Sequence, residues 1–251
     1  MAVEGDPIVR SMHERFQRQD PAVPVIEAYY VQATELIDQG DIAGALELEF
    51  SGGRGTFMRS EAFAMVAYRL LNEGRYQELE EFGNLGAESI LSSESKGDSD
   101  DASRIYVMMG RARLARWEDP RNYFDKAIKA TENWGGESFR VDRILKIAGI
   151  VARNNQDPKP YVDIAMKISD SIDLSGKDVD YLLSDGMLDM IHKQSSLESI
   201  AEFQIAHGLL DDAERTLQKY KELEEFVFES KEDTAKLAKK LEEAREKASA
   251  A

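Results

Sequence analysis

The chain has 251 residues, of which 42% are hydrophobic and 32% charged, so it can bury a core and is not disordered as a whole. It contains no cysteine, which excludes disulfides, thiolate nucleophiles and cysteine-ligated metal sites. Its formal net charge of −16 argues against general nucleic-acid binding, because that binding needs cations to displace the counterions of phosphate.

Neither a membrane span nor an export signal is visible in the sequence. No apolar run approaches the roughly 18–20 residues that cross a bilayer. The first residues lack the basic segment and apolar stretch of a secretory signal. We therefore expect a cytoplasmic protein without a membrane partner.

Residues 1–24 form a separate segment at the amino terminus. Asp6-Pro7 is a plausible helix start, and Pro21 and Pro24 stop that helix. We interpret it as a short docking helix, either on the body of its own molecule or on a partner.

Apolar residues at helical spacing, separated by Gly, Pro and Ser, fill the rest of the chain. No sustained alternation of β-branched residues predicts a strand, so the fold class is all-α. The predicted helices cover 25–39, 42–50, Ser60 to the Gly74 turn, 76–91, 104–116, 120–134, 139–155, 159–174, 178–194, a hairpin over 196–228, and 230–248. Residues 92–103 are predicted to be an exposed loop.

Three stretches share one spacing of small, turn and bulky residues. In each stretch an alanine is followed by a glycine seven residues later. A bulky apolar residue comes two residues after that glycine, and an Ala or Leu comes three residues after the bulky one. The instances are Ala33-Gly40-Ile42-Ala45, Ala67-Gly74-Tyr76-Leu79 and Ala201-Gly208-Leu210-Ala213. A small residue lets two helices approach to about 8 Å, and a helical hairpin of this kind must stack on a neighbour to bury its apolar face.

This spacing resembles the tetratricopeptide repeat (TPR). Large residues precede the small ones by four positions, as Tyr29, Phe63, Tyr106 and Leu197 precede Ala33, Ala67, Gly110 and Ala201. The third unit has Trp117 in place of the turn glycine, and the fourth lacks the turn signature. The resemblance covers 25–228, with 229–251 as a capping or coiled-coil helix. It implies antiparallel hairpins stacked in a right-handed superhelix of about 11–13 helices.

In that family, the first helices of the hairpins line a concave groove that binds peptides or protein partners. Groove-facing positions would lie six and three before the small residue, and one and four after it. The resemblance thus implies partner-binding roles for Tyr30, Thr34, Tyr68, Arg104 and Arg111. Glu27 and Glu61 on the same faces would repel a terminal carboxylate, which disfavours the family's chaperone-tail clamp.

The charge reverses over residues 104–153, which contain eleven Lys or Arg and six Asp or Glu. Arg143, Lys146 and Arg153 form a stripe that faces the groove if Gly149 is the crossing residue, but not if Ala148 is. Parallel arginines could bind carboxylates or phosphates of a partner. The alternative is that these cations pair with the acidic remainder of the chain or of a second copy.

No catalytic or metal-binding arrangement is visible. His13, His192 and His207 lack metal-ligand spacing, and the glycine-rich 52–55 loop lacks the ending of a phosphate-binding loop. We expect no catalysis, no cofactor and no metal. The predicted function is a protein-protein interaction scaffold or adaptor. The alternatives are an RNA- or ribosome-associated factor that uses residues 104–153, and a self-assembling structural protein that forms homo-oligomers.

Overall fold

A computed structural model describes residues 23–48, 55–92, 99–133, 136–172, 174, 187–223 and 230–249. These residues form α-helices joined by turns, with no strand among them, which confirms the all-α prediction. Within the same ranges, no helix has an apolar run long enough to cross a membrane. The predicted docking helix near the amino terminus lies outside the described residues.

The described chain contains eleven α-helices and divides into two compact units, Met1–Trp134 and Gly135–Ala251. Unit 1 holds α1 to α6 and unit 2 holds α7 to α11. The helices are α1 Val23–Asp38, α2 Ile42–Glu47, α3 Gly55–Asn72, α4 Tyr76–Leu91, α5 Ser99–Ala115, α6 Arg121–Ala130, α7 Glu137–Arg153, α8 Lys159–Ser171, α9 Met187–Ala206, α10 Leu210–Leu223 and α11 Ser230–Ser249. The predicted right-handed superhelix of TPR type stays a prediction.

The starts of α3 and α5 differ from the prediction. Helix α3 begins at Gly55, so Ser60 lies inside the helix and does not cap it. Helix α5 begins at Ser99, so the predicted exposed loop over 92–103 is wrong from that residue onward. A contact between the two helices explains both differences. The Ser60 hydroxyl of α3 donates a 2.7 Å hydrogen bond to the buried Asp101 carboxylate of α5.

Helix α9 joins two segments that were predicted to be separate. It runs without a break from Met187 to Ala206, although the sequence suggested a helix end at Gln194 and a new start at Ser196. The Ser196 hydroxyl donates to the carbonyl of His192, one turn earlier, at 2.7 Å. Its hydrogen-bonding capacity is therefore used within the helix, and no cap forms.

One left-handed cap ends the first helix of each of the five described hairpins. In each cap a residue with positive φ reverses the chain, and the next N–H donates to a carbonyl five residues back, at 2.8 to 3.1 Å. This is the Schellman arrangement. The left-handed residues are Gly40, Gly74, Trp117, Asn155 and Gly208. The fourth unit has no turn glycine, and Asn155 adopts the left-handed conformation in its place.

A small buried residue precedes every left-handed cap by seven positions. These crossing residues are Ala33, Ala67, Gly110, Ala148 and Ala201. At Gly110 the approach leaves no room for a side chain, because an added Cβ would lie 2.3 Å from Cε1 of the buried Phe124. Because Asn155 fixes the register of the fourth unit, its crossing residue is Ala148 and not Gly149.

The turns fall into two classes of length. After the glycine caps, one residue separates the left-handed residue from the second helix. After Trp117 and Asn155, three residues intervene, and each set ends in Asp-Pro. The Asp119 Oδ1 accepts from the Arg121 N–H at 3.0 Å, and Asp157 Oδ1 accepts from the Lys159 N–H at 2.9 Å. Here aspartate orders the longer turn before the helix starts.

Unit 1 is a two-layer stack of hairpins. Its first helices pack in the order α1, α3, α5, while α2 packs on α4 and α4 on α5. Tyr29, Phe63 and Phe82 form an aromatic chain through the core, with ring centroids 5.8 and 5.4 Å apart. The Tyr29 hydroxyl donates a 2.7 Å hydrogen bond to the Ala45 carbonyl, which fixes the second helix to the first.

Unit 2 repeats this packing with two hairpins and a final helix. Helices α7 and α9 pack together, and Lys159 of α8 pairs with Asp212 of α10 at 2.8 Å. Helix α11 packs on α9 and α10, with Leu237 and Leu241 buried against Ala201 and its neighbours. In this unit α11 covers the apolar side of the last hairpin.

Two glycines of unit 2 provide a matched test of the cap. Gly208 has a φ of +73°, and a Cβ there would meet nothing within 4 Å, so Gly208→Ala carries only a conformational cost. Gly149 lies within α7, where a Cβ would make ordinary contacts at 3.7 Å. We expect Gly208→Ala to lower the free energy of unfolding by about 1 kcal/mol.

In the same urea titration, Gly149→Ala should leave stability unchanged or raise it by up to about 1 kcal/mol, because alanine favours a helix. Equal effects of the two substitutions would contradict the left-handed cap at Gly208.

Candidate binding surface

Two of the predicted groove residues lie on α1. Thr34 is buried, and its hydroxyl lies 2.8 Å from the carbonyl oxygens of both Tyr30 and Val31. The side chain is therefore satisfied within its own helix, and its burial removes it from the set of contact residues. Tyr30 is half-buried, and burial raises the pKa of its hydroxyl.

Tyr68 and Arg111 occupy equivalent positions on two packed helices. Each comes directly after a crossing residue, on α3 and α5 respectively, and these two helices pack together. Tyr68 is half-buried and Arg111 is exposed. Within the described part of the chain, Arg111 has no hydrogen bond or ion pair. With the half-buried Val107 of α5, these residues define what we call the α3–α5 face.

The other predicted groove positions on α3 do not reach the surface. Glu61, Ala64 and Leu71 are all buried. Helix α3 packs against α1, α4 and α5, and most of its described side chains are buried or half-buried. Tyr68 is thus the one predicted position of α3 with substantial exposure.

Arg104 lies in a buried acidic cluster that the sequence did not indicate. Its Nε is 2.8 Å from Asp100 Oδ2, and its Nη1 is 3.4 Å from Asp101 Oδ1. Both aspartates are buried at the start of α5, a region that sequence patterning assigned to a loop. Burial raises the pKa of Asp101 to about 6, although Arg104 and the Ser60 hydroxyl favour its charged form. Arg104 therefore offsets the desolvation of two carboxylates.

The basic residues of the 104–116 segment are largely neutralised by carboxylates. Glu80 of α4 pairs with Arg113 at 2.7 Å and also with Arg116. Glu118 lies 2.7 Å from Arg113 and 3.1 Å from Arg116. Most of the positive charge of this segment is thus balanced within unit 1. This agrees with the alternative that the cations pair with acidic residues of their own chain.

The other three predicted cations, Arg143, Lys146 and Arg153, lie on α7 in unit 2. With Ala148 as the crossing residue, they fall outside the predicted groove positions of that helix. Arg143 is half-buried, and Lys146 pairs with Asp142 at 2.7 Å. Arg153 is exposed. The structure therefore does not support the stripe that a Gly149 crossing would have created.

The two described histidines, His192 and His207, make contacts within the fold. A Cβ added at Gly136 would lie 2.6 Å from Cε1 of His192, so that ring lies directly against the backbone. His207 stacks on Phe203 with ring centroids 3.9 Å apart, and its Nδ1 is 2.8 Å from the Phe203 carbonyl oxygen. In the described ranges, no group of three His, Asp or Glu side chains could hold a metal ion.

The acidic cluster predicts a pH-dependent stability. Because the folded-state pKa of Asp101 lies above its ordinary value, folding takes up a proton between about pH 4 and pH 6. This group therefore favours the folded state less as pH rises through about 6. Asp101→Asn should raise the free energy of unfolding on the order of 2 kcal/mol near pH 8, because it removes the buried charge.

Urea titrations of Asp101→Asn and wild type near pH 8 and near pH 5 measure this effect, and the gain should shrink at the lower pH. Asp125→Asn, at an exposed position of α6, is the matched control and should change little at either pH. A gain for Asp101→Asn that is the same at both pH values would contradict the assigned protonation.

No protein-family model, curated protein or solved structure matches this chain. The resemblance of its hairpin spacing to the tetratricopeptide repeat therefore stays a prediction.

Proposed function

We propose that this chain is a non-catalytic scaffold that binds a protein partner through the α3–α5 face of unit 1. The observation that carries the proposal is the equivalent placement of Tyr68 and Arg111 on two packed first helices. Tyr68 and Arg111 are not needed to close their hairpins, since the crossing residues before them, Ala67 and Gly110, make the close approach. They can therefore be selected for binding.

The chemistry of the two side chains suggests the kind of partner segment. Tyrosine and arginine are enriched among the residues that dominate binding energy at protein interfaces. The half-buried Tyr68 ring offers apolar area, and Arg111 offers a guanidinium with no partner among the described residues. A peptide with an apolar side chain and a nearby carboxylate complements this pair.

Two alternatives receive less support from the contacts. A nucleic-acid interface needs free cations, whereas Arg104, Arg113 and Arg116 are already bound to carboxylates. Self-assembly into homo-oligomers is a separate prediction, and a measurement of the oligomeric state in solution tests it. The scaffold proposal rests on the α3–α5 face, where Tyr68 is half-buried and Arg111 is exposed.

The test of this function is binding by the full chain and by a Tyr68→Ala/Arg111→Ala variant. Proteins captured from cell extract by the wild-type chain are identified, and synthetic peptides from them are titrated by fluorescence anisotropy. We expect the double substitution to weaken the tightest peptide by about a hundredfold, since each anchor contributes roughly tenfold.

Lys129→Ala is the control, because Lys129 is an exposed cation on α6, a second helix of the same unit. It should bind the peptide as the wild type does. Unchanged affinity in the double variant, or a steep dependence of binding on salt with nucleic acid as the captured ligand, would contradict the proposal.

A further inference from the structure

Trp117 occupies a position where folding would favour glycine. Its φ is +61°, and three of the other four caps have glycine at the same place. A bulky side chain in the left-handed region is strained. Trp117 is also 97% exposed, so packing against the described residues does not compensate for that strain. Folding alone therefore gives no reason for tryptophan here.

An open cleft adjoins this turn within unit 1. It has a volume of about 560 Å³, and its lining includes Arg75, Tyr76, Glu81 and Arg116. Arg116, which lines the cleft, directly precedes Trp117 in the chain, so the cleft begins one residue from the turn. We call Trp117, Glu81 and the cleft the turn surface.

The cations of the cleft are already neutralised. Arg75 pairs with Glu78 at 2.6 Å and also with Asp38. Arg116 pairs with Glu80, and its guanidinium lies over the Tyr76 ring at 5.9 Å from the centroid. Glu81 is exposed and, within the described residues, has no hydrogen bond or ion pair. The unsatisfied charge of the turn surface is therefore negative.

We infer that the turn surface binds a basic segment of a protein partner, with an arginine or lysine side chain on the face of Trp117. Tryptophan is the side chain whose ring attracts cations most strongly. Glu81 supplies a carboxylate, unpaired among the described residues, for a neighbouring cation of the same basic segment. This site is separate from the α3–α5 face and goes beyond the scaffold function proposed above.

The test uses tryptophan fluorescence. The chain contains two tryptophans, so a Trp134→Phe variant leaves Trp117 as the only indole. This full-length variant is titrated with an Arg-Gly repeat peptide and with a Glu-Gly repeat peptide of the same length, at physiological salt, which screens long-range attraction. We expect the Arg-Gly peptide to change the Trp117 emission saturably and the Glu-Gly peptide to leave it unchanged.

Trp117→Gly separates binding from folding. It removes the indole and relieves the left-handed strain, so its urea midpoint should be higher than that of the wild type. In anisotropy titrations with labelled Arg-Gly peptide, we expect its affinity to fall by about tenfold. Glu81→Gln should weaken binding severalfold, while Gln77→Ala, at an exposed position of the same cleft, should not.

Three results would overturn the inference. The first is an Arg-Gly peptide that leaves Trp117 emission unchanged. The second is equal peptide affinity of Trp117→Gly and wild type. The third is an emission change produced by phosphatidylcholine vesicles but not by the basic peptide, which would assign the indole to a lipid surface.

Discussion

The structure depends on the left-handed cap that ends the first helix of each hairpin. Two backbone hydrogen bonds close the cap and satisfy carbonyls that the helix end would leave unpaired. The cap also sets a register, because the small crossing residue lies seven positions earlier in all five described hairpins. The left-handed residue and the crossing residue together determine where the second helix packs against the first. The contact between Gly110 and Phe124 illustrates this.

This constraint leaves some positions free for function. The crossing residue and its neighbours toward the core are fixed by packing, whereas the position after it can hold tyrosine, arginine or glycine, as in Tyr68, Arg111 and Gly149. The cap residue itself is less free, since only glycine adopts positive φ without strain. Trp117 therefore stands out as a residue that occupies this position at a conformational cost. The two proposed surfaces differ in this respect, because the α3–α5 face uses permissive positions and the turn surface uses a constrained one.

The sequence predicted the helical class, the three glycine caps and the buried alanines before them, because these depend on local chemistry that glycine and small residues reveal. It missed the cap at Asn155, since asparagine also occurs in many other conformations. The signal that would have found it is the Asp-Pro pair at 119–120, which recurs at 157–158. The early start of α5 could not be predicted, because it depends on burial of Asp100 and Asp101 against α3 and on the bond from Ser60. For the proposed binding surface, the pattern predicted Tyr68 and Arg111, whereas the burial of Thr34 and the pairing of Arg104 depend on the folded structure.

The shared left-handed cap is tested most directly by the backbone conformation of Trp117 and Asn155 in solution, because these two caps lack glycine. Nuclear magnetic resonance of the full chain measures it through the intraresidue amide-to-α-proton distance, which is short for a left-handed residue. We expect this short distance at both residues, together with slow exchange of the Glu118 and Gln156 amide protons that close the two caps. A right-handed or extended conformation at either residue, with fast exchange of the following amide, would contradict the shared cap.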